Sequence, residues 1–283
     1  MFNLFNRPKY RMGLALSGGG ARGFAHVGAV RAFEEVGIRP DIIAGVSAGS
    51  VVAVFYAAGV PLDEMVQMFE EKSFTDLCEL SVPKDGFFNL DRFRKFLRTN
   101  IPYKNIEDLP IPTVVCATDI DKCRPVAFDR GPIAECVAAS CAIPIVFKPA
   151  VIHGVHYVDG GVLHNLPAWA IRDQCRYLLG VNVSPLVHGR YRGTLMDIAR
   201  RSYSLLAKNN AIPDMELCDL VINTVGIADH KVFDLKAIDK VLQGGYRNTM
   251  EVLRANGFKP VHEIRESRRL KKYRIKNTEN KAD

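Results

Sequence analysis

The feature that most constrains the fold is the pentapeptide Gly45-Val46-Ser47-Ala48-Gly49, which stands between an apolar run at 41–44 and a helix-like run at 50–58. A strand that turns sharply into a helix presents one side chain at the tip of the turn. Glycines two residues before and after that side chain are needed because no Cβ fits where the helix folds back over the strand. The pattern therefore predicts a strand–turn–helix unit with Ser47 at the turn.

The predicted position of Ser47 suits a nucleophile. At a helix N-terminus, backbone N–H groups and the helix dipole stabilise a developing negative charge, as an acyl-transfer serine requires. Because G-x-S-x-G also occurs by chance, this interpretation depends on the flanking strand and helix and on two further motifs.

The second motif is Ser17-Gly18-Gly19-Gly20-Ala21-Arg22-Gly23, between a predicted strand and a helical run that ends at Gly37. Consecutive glycines allow several backbone N–H groups to point toward one place, and the helix N-terminus adds to this positive concavity. We interpret Gly18, Gly19 and Gly20 as an oxyanion hole for the carbonyl that Ser47 attacks.

Two alternatives remain for the glycine loop. It also reads G-x-G-x-x-G, the spelling of a dinucleotide site. Such a site needs an acidic residue at the end of the second strand, whereas here that strand ends at Ser47 and Asp41 precedes it. A strand–helix turn that binds no ligand is the other alternative.

The third motif is Tyr157-Val158-Asp159-Gly160-Gly161. Its two glycines let the backbone approach closely, so that the Asp159 carboxylate can point into a cleft. Considered alone, Asp-Gly is typical of an ordinary turn, and a hairpin is the alternative.

Together these motifs resemble the patatin-like phospholipases, lipid acyl hydrolases that use a Ser–Asp dyad in place of a triad. The resemblance covers about residues 12–167, includes the segment 138–149, and is closest to the small bacterial members without an accessory domain. Two departures are Ser17, where many members have Asp, and Gly161, where some have Ala. The resemblance implies a three-layer α/β fold with a mostly parallel central sheet and helices on both faces.

The resemblance also implies a mechanism. Ser47 Oγ would attack an ester carbonyl of a lipid, and Asp159 would accept the serine proton and then help water to hydrolyse the acyl-enzyme. The Gly18–Gly20 loop would hold the oxyanion, with Arg22 supporting that loop or pairing with a phosphate or carboxylate. The supporting motif residues share a role in shaping the backbone: Gly23, Gly45, Gly49, Gly160 and Gly161.

A general base that works near neutral pH needs a higher pKa than an ordinary aspartate. The unperturbed pKa of Asp is about 3.9. Burial in an apolar cleft raises the pKa of a carboxyl, and we expect such a shift at Asp159.

A histidine-containing triad is the main alternative mechanism, and it would indicate a serine esterase, thioesterase or peptidase on another fold. We expect His26 to pack or hydrogen-bond locally within the first helix. The remaining histidines flank or follow the aspartate motif: His153, His156, His164, His188, His230 and His262. A non-catalytic, acyl-binding regulator is a third hypothesis, disfavoured because all three motifs are intact.

Strand-like and helix-like patterns alternate along the chain. Strands are predicted near 12–17, 41–45, 112–119, 124–129, 155–158, 177–184 and 219–225. Helices are predicted near 22–36, 48–58, 62–72, 90–99, 132–141, 167–174, 193–209 and 238–255. Alternation of this kind predicts a largely parallel sheet covered on both faces. The site should then lie at the carboxyl ends of the strands, where this assignment puts Gly18, Ser47 and Asp159.

Length and composition are consistent with one catalytic domain over residues 1–258. The chain has 283 residues, of which 48% are hydrophobic, enough to bury a large core. Seven cysteines form an odd set without a C-x-x-C pair, which favours free thiols in a reducing, cytoplasmic compartment. We expect no metal, no cofactor, no nucleic-acid partner, no signal peptide and no membrane-spanning segment.

Much of the net charge of +7 is concentrated in a basic tail at residues 259–283, which holds nine basic and four acidic residues. Such a tail is either a solvated extension or a contact to anionic lipid headgroups, with Phe2, Leu4 and Phe5 as a further apolar anchor. The phenylalanine-rich segment 73–110 is expected to form either a lid or acyl-chain wall, or ordinary core.

Overall fold

The computed structural model describes residues 8–70, 72–81, 85–185, 193–224 and 237–262. The anchor predicted at residues 2–5, the basic tail beyond residue 262, and both His188 and His230 lie outside these ranges.

The strands, numbered in chain order, are β1 (Tyr10–Leu16), β2 (Ile42–Val46), β3 (Glu79–Leu80), β4 (Phe88–Asn89), β5 (Thr113–Asp119), β6 (Arg124–Phe128), β7 (Ala150–Ile152), β8 (Val155–Asp159), β9 (Cys175–Asn182) and β10 (Leu220–Asn223). Eight of them form one sheet in the order β10-β9-β1-β2-β5-β8-β7, with β6 also paired to β5. The five strands from β10 to β5 are parallel. The expected mostly parallel central sheet is confirmed.

The helices are α1 (Phe24–Glu35), α2 (Ala48–Ala57), α3 (Leu62–Glu70), α4 (Phe74–Leu77), α5 (Asp91–Asn100), α6 (Ile133–Ser140), α7 (Leu195–Asn210), α8 (Ile212–Glu216) and α9 (Ile238–Ala255). Short 3-10 turns cover Gly20–Gly23, Ile106–Asp108, Gly160–Val162, Pro167–Ala170 and Arg172–Gln174.

Alternate residues of the parallel strands enter two separate cores. On one face Leu14, Leu16 and Ile43 pack in a large cluster with α1, α2, α3, α5, α6 and α9. On the other face Ala15 and Ile42 pack with the segment 166–171. Because successive residues point to opposite faces and both faces are covered, nearly every residue of these strands is apolar.

The aspartate strand departs from the predicted arrangement. β8 runs antiparallel to β5, whereas the alternating pattern favoured parallel strands. Strand register nevertheless brings Asp159 close to the serine turn: Val46 lies opposite Cys116 on β5, and Asp159 lies opposite the next residue, Ala117. Asp159, the last residue of β8, thus lies level with the carboxyl end of β2, and its predicted place at the carboxyl end of its strand is confirmed.

The helix predicted at 167–174 is also wrong, because this segment forms two 3-10 turns. Pro167 begins the first turn, and the Trp169 N–H donates to the Asp214 carboxylate at 3.0 Å, a contact to α8. The elements that the sequence did not predict are short: β3, β4, β7, α4 and α8. Segments of two to five residues carry too little periodicity to be recognised.

None of the seven cysteines, all of which lie within the described ranges, forms a disulfide bond. Within the described ranges, no helix has the length and apolar character needed to span a bilayer.

Candidate active site

Ser47 occupies a strained turn directly before α2. Its φ of 51° and ψ of −124° lie in a region that residues with a Cβ rarely adopt. A Cβ at Gly45 would lie 2.5 Å from the Gly49 carbonyl oxygen, and one at Gly49 would lie 2.2 Å from the Leu16 carbonyl oxygen. The two glycines are therefore required by close packing of the turn between β1, β2 and α2, as the motif predicted.

Ser140, at the end of α6, braces this turn. Its Oγ accepts the Ser47 N–H at 2.8 Å and donates to the Cys116 carbonyl oxygen at 2.6 Å. Ser140 is fully buried, so both hydrogen bonds are sheltered from water. The residue lies inside the segment that resembles the family, but its role was not predicted.

Asp159 is fully buried at the end of β8. Its Oδ1 accepts the Gly161 N–H at 2.8 Å, whereas Oδ2 has no hydrogen-bond partner among the described residues. Burial raises the pKa of this carboxyl to about 6, and the Ser47 hydroxyl, the Gly161 N–H and the Tyr203 hydroxyl partly offset that rise. The expected upward shift of the Asp159 pKa is confirmed.

Tyr203 is a site residue that the sequence did not reveal. It lies on α7, and its hydroxyl is close enough to Asp159 to lower the pKa of the carboxyl. Burial and the Asp159 carboxylate in turn raise the pKa of Tyr203 well above its ordinary value, so its hydroxyl is a hydrogen-bond donor. A Cβ at Gly161 would lie 2.7 Å from the Tyr203 hydroxyl oxygen.

The backbone N–H groups of the glycine loop differ in whether they already have a hydrogen-bond acceptor. The Gly18 N–H donates to the Asn165 carbonyl oxygen at 3.0 Å, and the Gly18 carbonyl accepts the Ser184 hydroxyl at 2.9 Å. Gly18 is therefore held by the fold, and its N–H is not available to an oxyanion in this conformation. Gly20, with a φ of 59°, begins the 3-10 turn at 20–23, whose first N–H groups have no acceptor within the turn.

Asn165 links the glycine loop to the aspartate turn. In addition to its backbone contact, its Nδ2 donates to the Gly18 carbonyl at 3.4 Å. Its Oδ1 would lie 2.4 Å from a Cβ at Gly18 and 2.8 Å from one at Gly161. This buried amide thus packs against both motifs, a role that no local pattern around Asn165 indicated.

Arg22 supports the glycine loop. The buried guanidinium donates through Nε to the Gly19 carbonyl at 3.4 Å and through Nη2 to the Ser184 hydroxyl at 3.2 Å. Burial lowers the pKa of Arg22 to about 10, which leaves the guanidinium charged at neutral pH. Among the described residues it has no carboxylate partner. These contacts agree with the expectation that Arg22 supports the glycine loop, rather than with the alternative that it pairs with a phosphate or carboxylate.

An apolar cavity of about 170 Å³ begins beside Ser47. The groups near the serine are Gly20, Gly23, Ala48 and Cys141. Aliphatic, aromatic and sulfur-containing side chains form the rest of its lining: Phe24, Val27, Val51, Val52, Met65, Phe69, Leu77, Cys78, Leu90, Phe93, Ile143 and Phe147, together with Ala21. Four of these side chains belong to the segment 73–110, which therefore forms part of the wall of this cavity.

No histidine in the described part of the chain lines this cavity. His26 is fully buried in α1 with Nε2 2.7 Å from the Ser17 carbonyl oxygen, and burial lowers its pKa to about 4. The expected local hydrogen bond of His26 is confirmed. His156 Nδ1 contacts Asp121 at 3.0 Å, and His164 Nδ1 contacts Asp214 at 2.7 Å.

Comparison with known proteins agrees with this geometry. A family model for patatin-like phospholipases matches residues 14–171, a segment that contains all three motifs. The chain belongs to the patatin-like phospholipase family.

Individual relatives share the same segment. An uncharacterized NTE family protein of Mycobacterium tuberculosis is 38% identical over 160 residues, which is 56% of this chain and 44% of that protein. Lysophospholipase nte1 of Aspergillus fumigatus is 32% identical over 161 residues, 55% of this chain and 11% of that protein. Neuropathy target esterase sws of Drosophila melanogaster is 32% identical over 165 residues, 56% of this chain and 12% of that protein. The matched segment thus spans less than half of each of these relatives.

A solved structure supports the fold. The crystal structure of VipD from Legionella pneumophila is similar with a TM-score of 0.58 and 17% sequence identity, covering 88% of this chain and 68% of that one. At this identity the similarity concerns the architecture alone.

Proposed function

We propose that this protein is a serine acyl hydrolase that cleaves carboxylic esters of lipids, of phospholipase A or lysophospholipase type. The observation that carries the proposal is Ser47 on its strained turn, with a buried carboxyl on one side and an apolar cavity on the other. Family membership and relatives named as a lysophospholipase and an esterase favour the same chemistry.

In the proposed mechanism Ser47 Oγ attacks the ester carbonyl while its proton passes to Oδ2 of Asp159. The N–H groups of Gly19 and Gly20 stabilise the oxyanion, and the N–H of Ala48, at the first position of α2, is a third candidate donor. The leaving alcohol takes the proton from Asp159. A water molecule then attacks the acyl-enzyme with Asp159 as base, which releases the fatty acid and restores Ser47.

The cavity suits the acyl part of the substrate. An apolar cavity of roughly 150 Å³ is enough to hold benzene, so about 170 Å³ accommodates a segment of acyl chain. Burial of methylene groups there would contribute about 0.8 kcal/mol each. Phospholipids and lysophospholipids provide such a chain with an ester carbonyl at its end, which is the atom that must reach Ser47.

We also propose a cytoplasmic protein with residues 1–258 as the catalytic domain and peripheral contact to anionic membrane surfaces. Seven cysteines that form no disulfide bond support a reducing compartment. Neither a cofactor nor a metal is needed for the steps above, and activity unaffected by a chelator is the expected result.

Labelling with a fluorophosphonate probe tests the nucleophile. Wild type should label once, Ser47→Ala should not label, and the exposed-serine control Ser202→Ala should label as wild type does. Hydrolysis of a defined phospholipid and lysophospholipid panel, with the fatty acid identified by mass, tests the substrate class. Labelling that survives in Ser47→Ala, or a single His→Ala variant as inactive as Ser47→Ala, would overturn the dyad.

A further inference from the structure

α7 presents two different faces. Toward the protein, Ala207 is buried, the Asn210 side chain donates to the Val162 carbonyl at 2.5 Å, and Tyr203 lies against Gly161 beside the dyad aspartate. The inner face is thus fixed to the turn that follows Asp159. Any contact that α7 makes with its outer face occurs one helix diameter from the candidate active site.

The outer face exposes large apolar side chains to water. Ile198 is 46% exposed, Leu205 52% and Leu206 55%. Ile212 in the adjoining helix α8 and Leu217, the residue after that helix, are also 40% and 39% exposed. Single exposed apolar residues are ordinary on a protein surface, but a group along one helix is typical of an interaction site.

Basic residues stand among these apolar side chains. Arg201, Leu205 and Lys208 occupy positions i, i+4 and i+7 of α7, so they share one face of the helix. Neither Arg201 nor Lys208 forms an ion pair within the described ranges. Both side chains are half-buried. Burial lowers the pKa of Lys208, and the nearby positive charges of Arg22 and Arg201 lower it further.

This combination favours an anionic lipid surface over a second copy of the chain. A two-fold contact between copies would place the same basic residues opposite themselves or near one another. Anionic headgroups would instead neutralise Arg201 and Lys208, while Leu205 and Leu206 enter the boundary between headgroups and acyl chains. We propose that the outer face of α7, formed by Ile198, Arg201, Leu205, Leu206 and Lys208, binds membranes that contain anionic lipid.

The inference rests on the proposed function only for its choice of lipid as partner. Binding of α7 to the membrane would hold the turn that follows Asp159 close to the membrane that contains the lipid ester. It differs from the tail hypothesis because the contact is made by a helix of the folded domain.

Co-sedimentation of the full chain with vesicles tests the proposal, with Ser47→Ala as background so that hydrolysis cannot alter the lipid. Vesicles contain phosphatidylcholine with or without about 30% phosphatidylglycerol. We expect Leu205→Ser/Leu206→Ser and, separately, Arg201→Gln/Lys208→Gln to weaken binding to the anionic vesicles about fivefold or more. The matched controls are Leu80→Ser/Val151→Ser, also at exposed apolar positions, and Lys95→Gln/Lys122→Gln, at exposed basic ones.

The control variants should bind as the parent does. With Ser47 restored, the α7 variants should hydrolyse a short, water-soluble ester at the wild-type rate, which shows that the fold and site are intact. Equal vesicle binding by parent and α7 variants overturns the proposal, as does a change from dimer to monomer in these variants without loss of vesicle binding. Failure of the wild type to hydrolyse any ester would instead contradict the proposed function and leave the binding result interpretable.

Discussion

The hydroxyl of Ser140 accepts the backbone N–H of Ser47 at 2.8 Å, and this hydrogen bond joins the end of α6 to the turn that carries the proposed nucleophile. Through its second hydrogen bond, to the Cys116 carbonyl at 2.6 Å, the same hydroxyl ties that turn to β5. The strained conformation of Ser47 is therefore held from outside its own strand and helix.

Removal of the Ser140 hydroxyl should lower the free energy of unfolding. Ser140→Ala leaves the buried Ser47 N–H and Cys116 carbonyl without a side-chain partner, which typically costs about 1–3 kcal/mol. We expect the urea midpoint and the rate of ester hydrolysis both to fall. Ser202→Ala, at an exposed serine on α7, is the control that should change neither; an unchanged midpoint in Ser140→Ala would contradict the role of the brace.

The pH dependence of hydrolysis should follow the raised pKa of Asp159. Only the ionised carboxylate can accept the serine proton, and its pKa is about 6. The value of kcat/KM for a short ester should therefore rise about tenfold per pH unit below that pKa and level off above it. A profile that is already flat from about pH 4 upward would show that no group with a raised pKa acts as the base.

Asp159→Asn should abolish hydrolysis yet stabilise the protein at neutral pH. Because the pKa is raised from 3.8 to about 6 on folding, the native state binds more protons than the unfolded state between these values, so stability falls as pH rises through this window. Above it, the buried charge costs about 3 kcal/mol. Urea unfolding at about pH 8 should show the variant as the more stable form, with the difference disappearing near pH 4. A variant less stable than wild type at both pH values would contradict the assignment.

Gly161 and Tyr203 should be energetically coupled. The family pattern allows Ala at position 161, but here a Cβ would lie 2.7 Å from the Tyr203 hydroxyl oxygen and 2.8 Å from Asn165 Oδ1. Gly161→Ala should therefore reduce activity and stability, and Tyr203→Phe in the same chain should restore part of both. In a double-mutant cycle measured by urea unfolding, we expect a coupling energy of about 0.5–3 kcal/mol. Strict additivity would show that the two residues are not in contact.

Tyr203→Phe alone provides a separate readout. Loss of a hydroxyl that favours the Asp159 carboxylate should move the ascending limb of the pH–rate profile to higher pH. A merely structural role for Tyr203 would lower the rate without shifting that limb.

Filling the cavity should change chain-length preference. Val52 is buried in α2 and lines the cavity, so Val52→Phe should reduce hydrolysis of long-chain esters while short-chain esters react as before. Val151→Phe, at a residue that is 56% exposed, is the matched control. Equal losses for long and short chains would indicate that the cavity does not hold the acyl group.

The sequence predicted those parts of the site in which local structure and chemistry coincide. Ser47 is recognisable because its turn demands glycines at fixed spacing, and Asp159 because its glycines follow directly. The chain also carries strong strand and helix periodicity, so most of the central sheet and its long helices were predicted correctly.

The residues that support the proposed dyad could not be found in this way. Ser140, Asn165 and Tyr203 are single polar side chains without a distinctive neighbourhood in sequence. Their roles come from contacts between distant parts of the chain, such as Ser140 with Cys116, or Asn165 with Gly18. Likewise, the antiparallel direction of β8 depends on its pairing with β5, which local pattern does not encode.

The adjacent positions Cys116 and Ala117 set the separation of the proposed nucleophile and the proposed base, because Cys116 pairs with Val46, next to Ser47, and Ala117 pairs with Asp159. The spacing of the proposed dyad is therefore that of two neighbouring residues of β5, and it does not depend on the length of the connections elsewhere. Insertions in outlying loops should leave the catalytic distance untouched, whereas a one-residue deletion within β5 would offset the two partners and disconnect them.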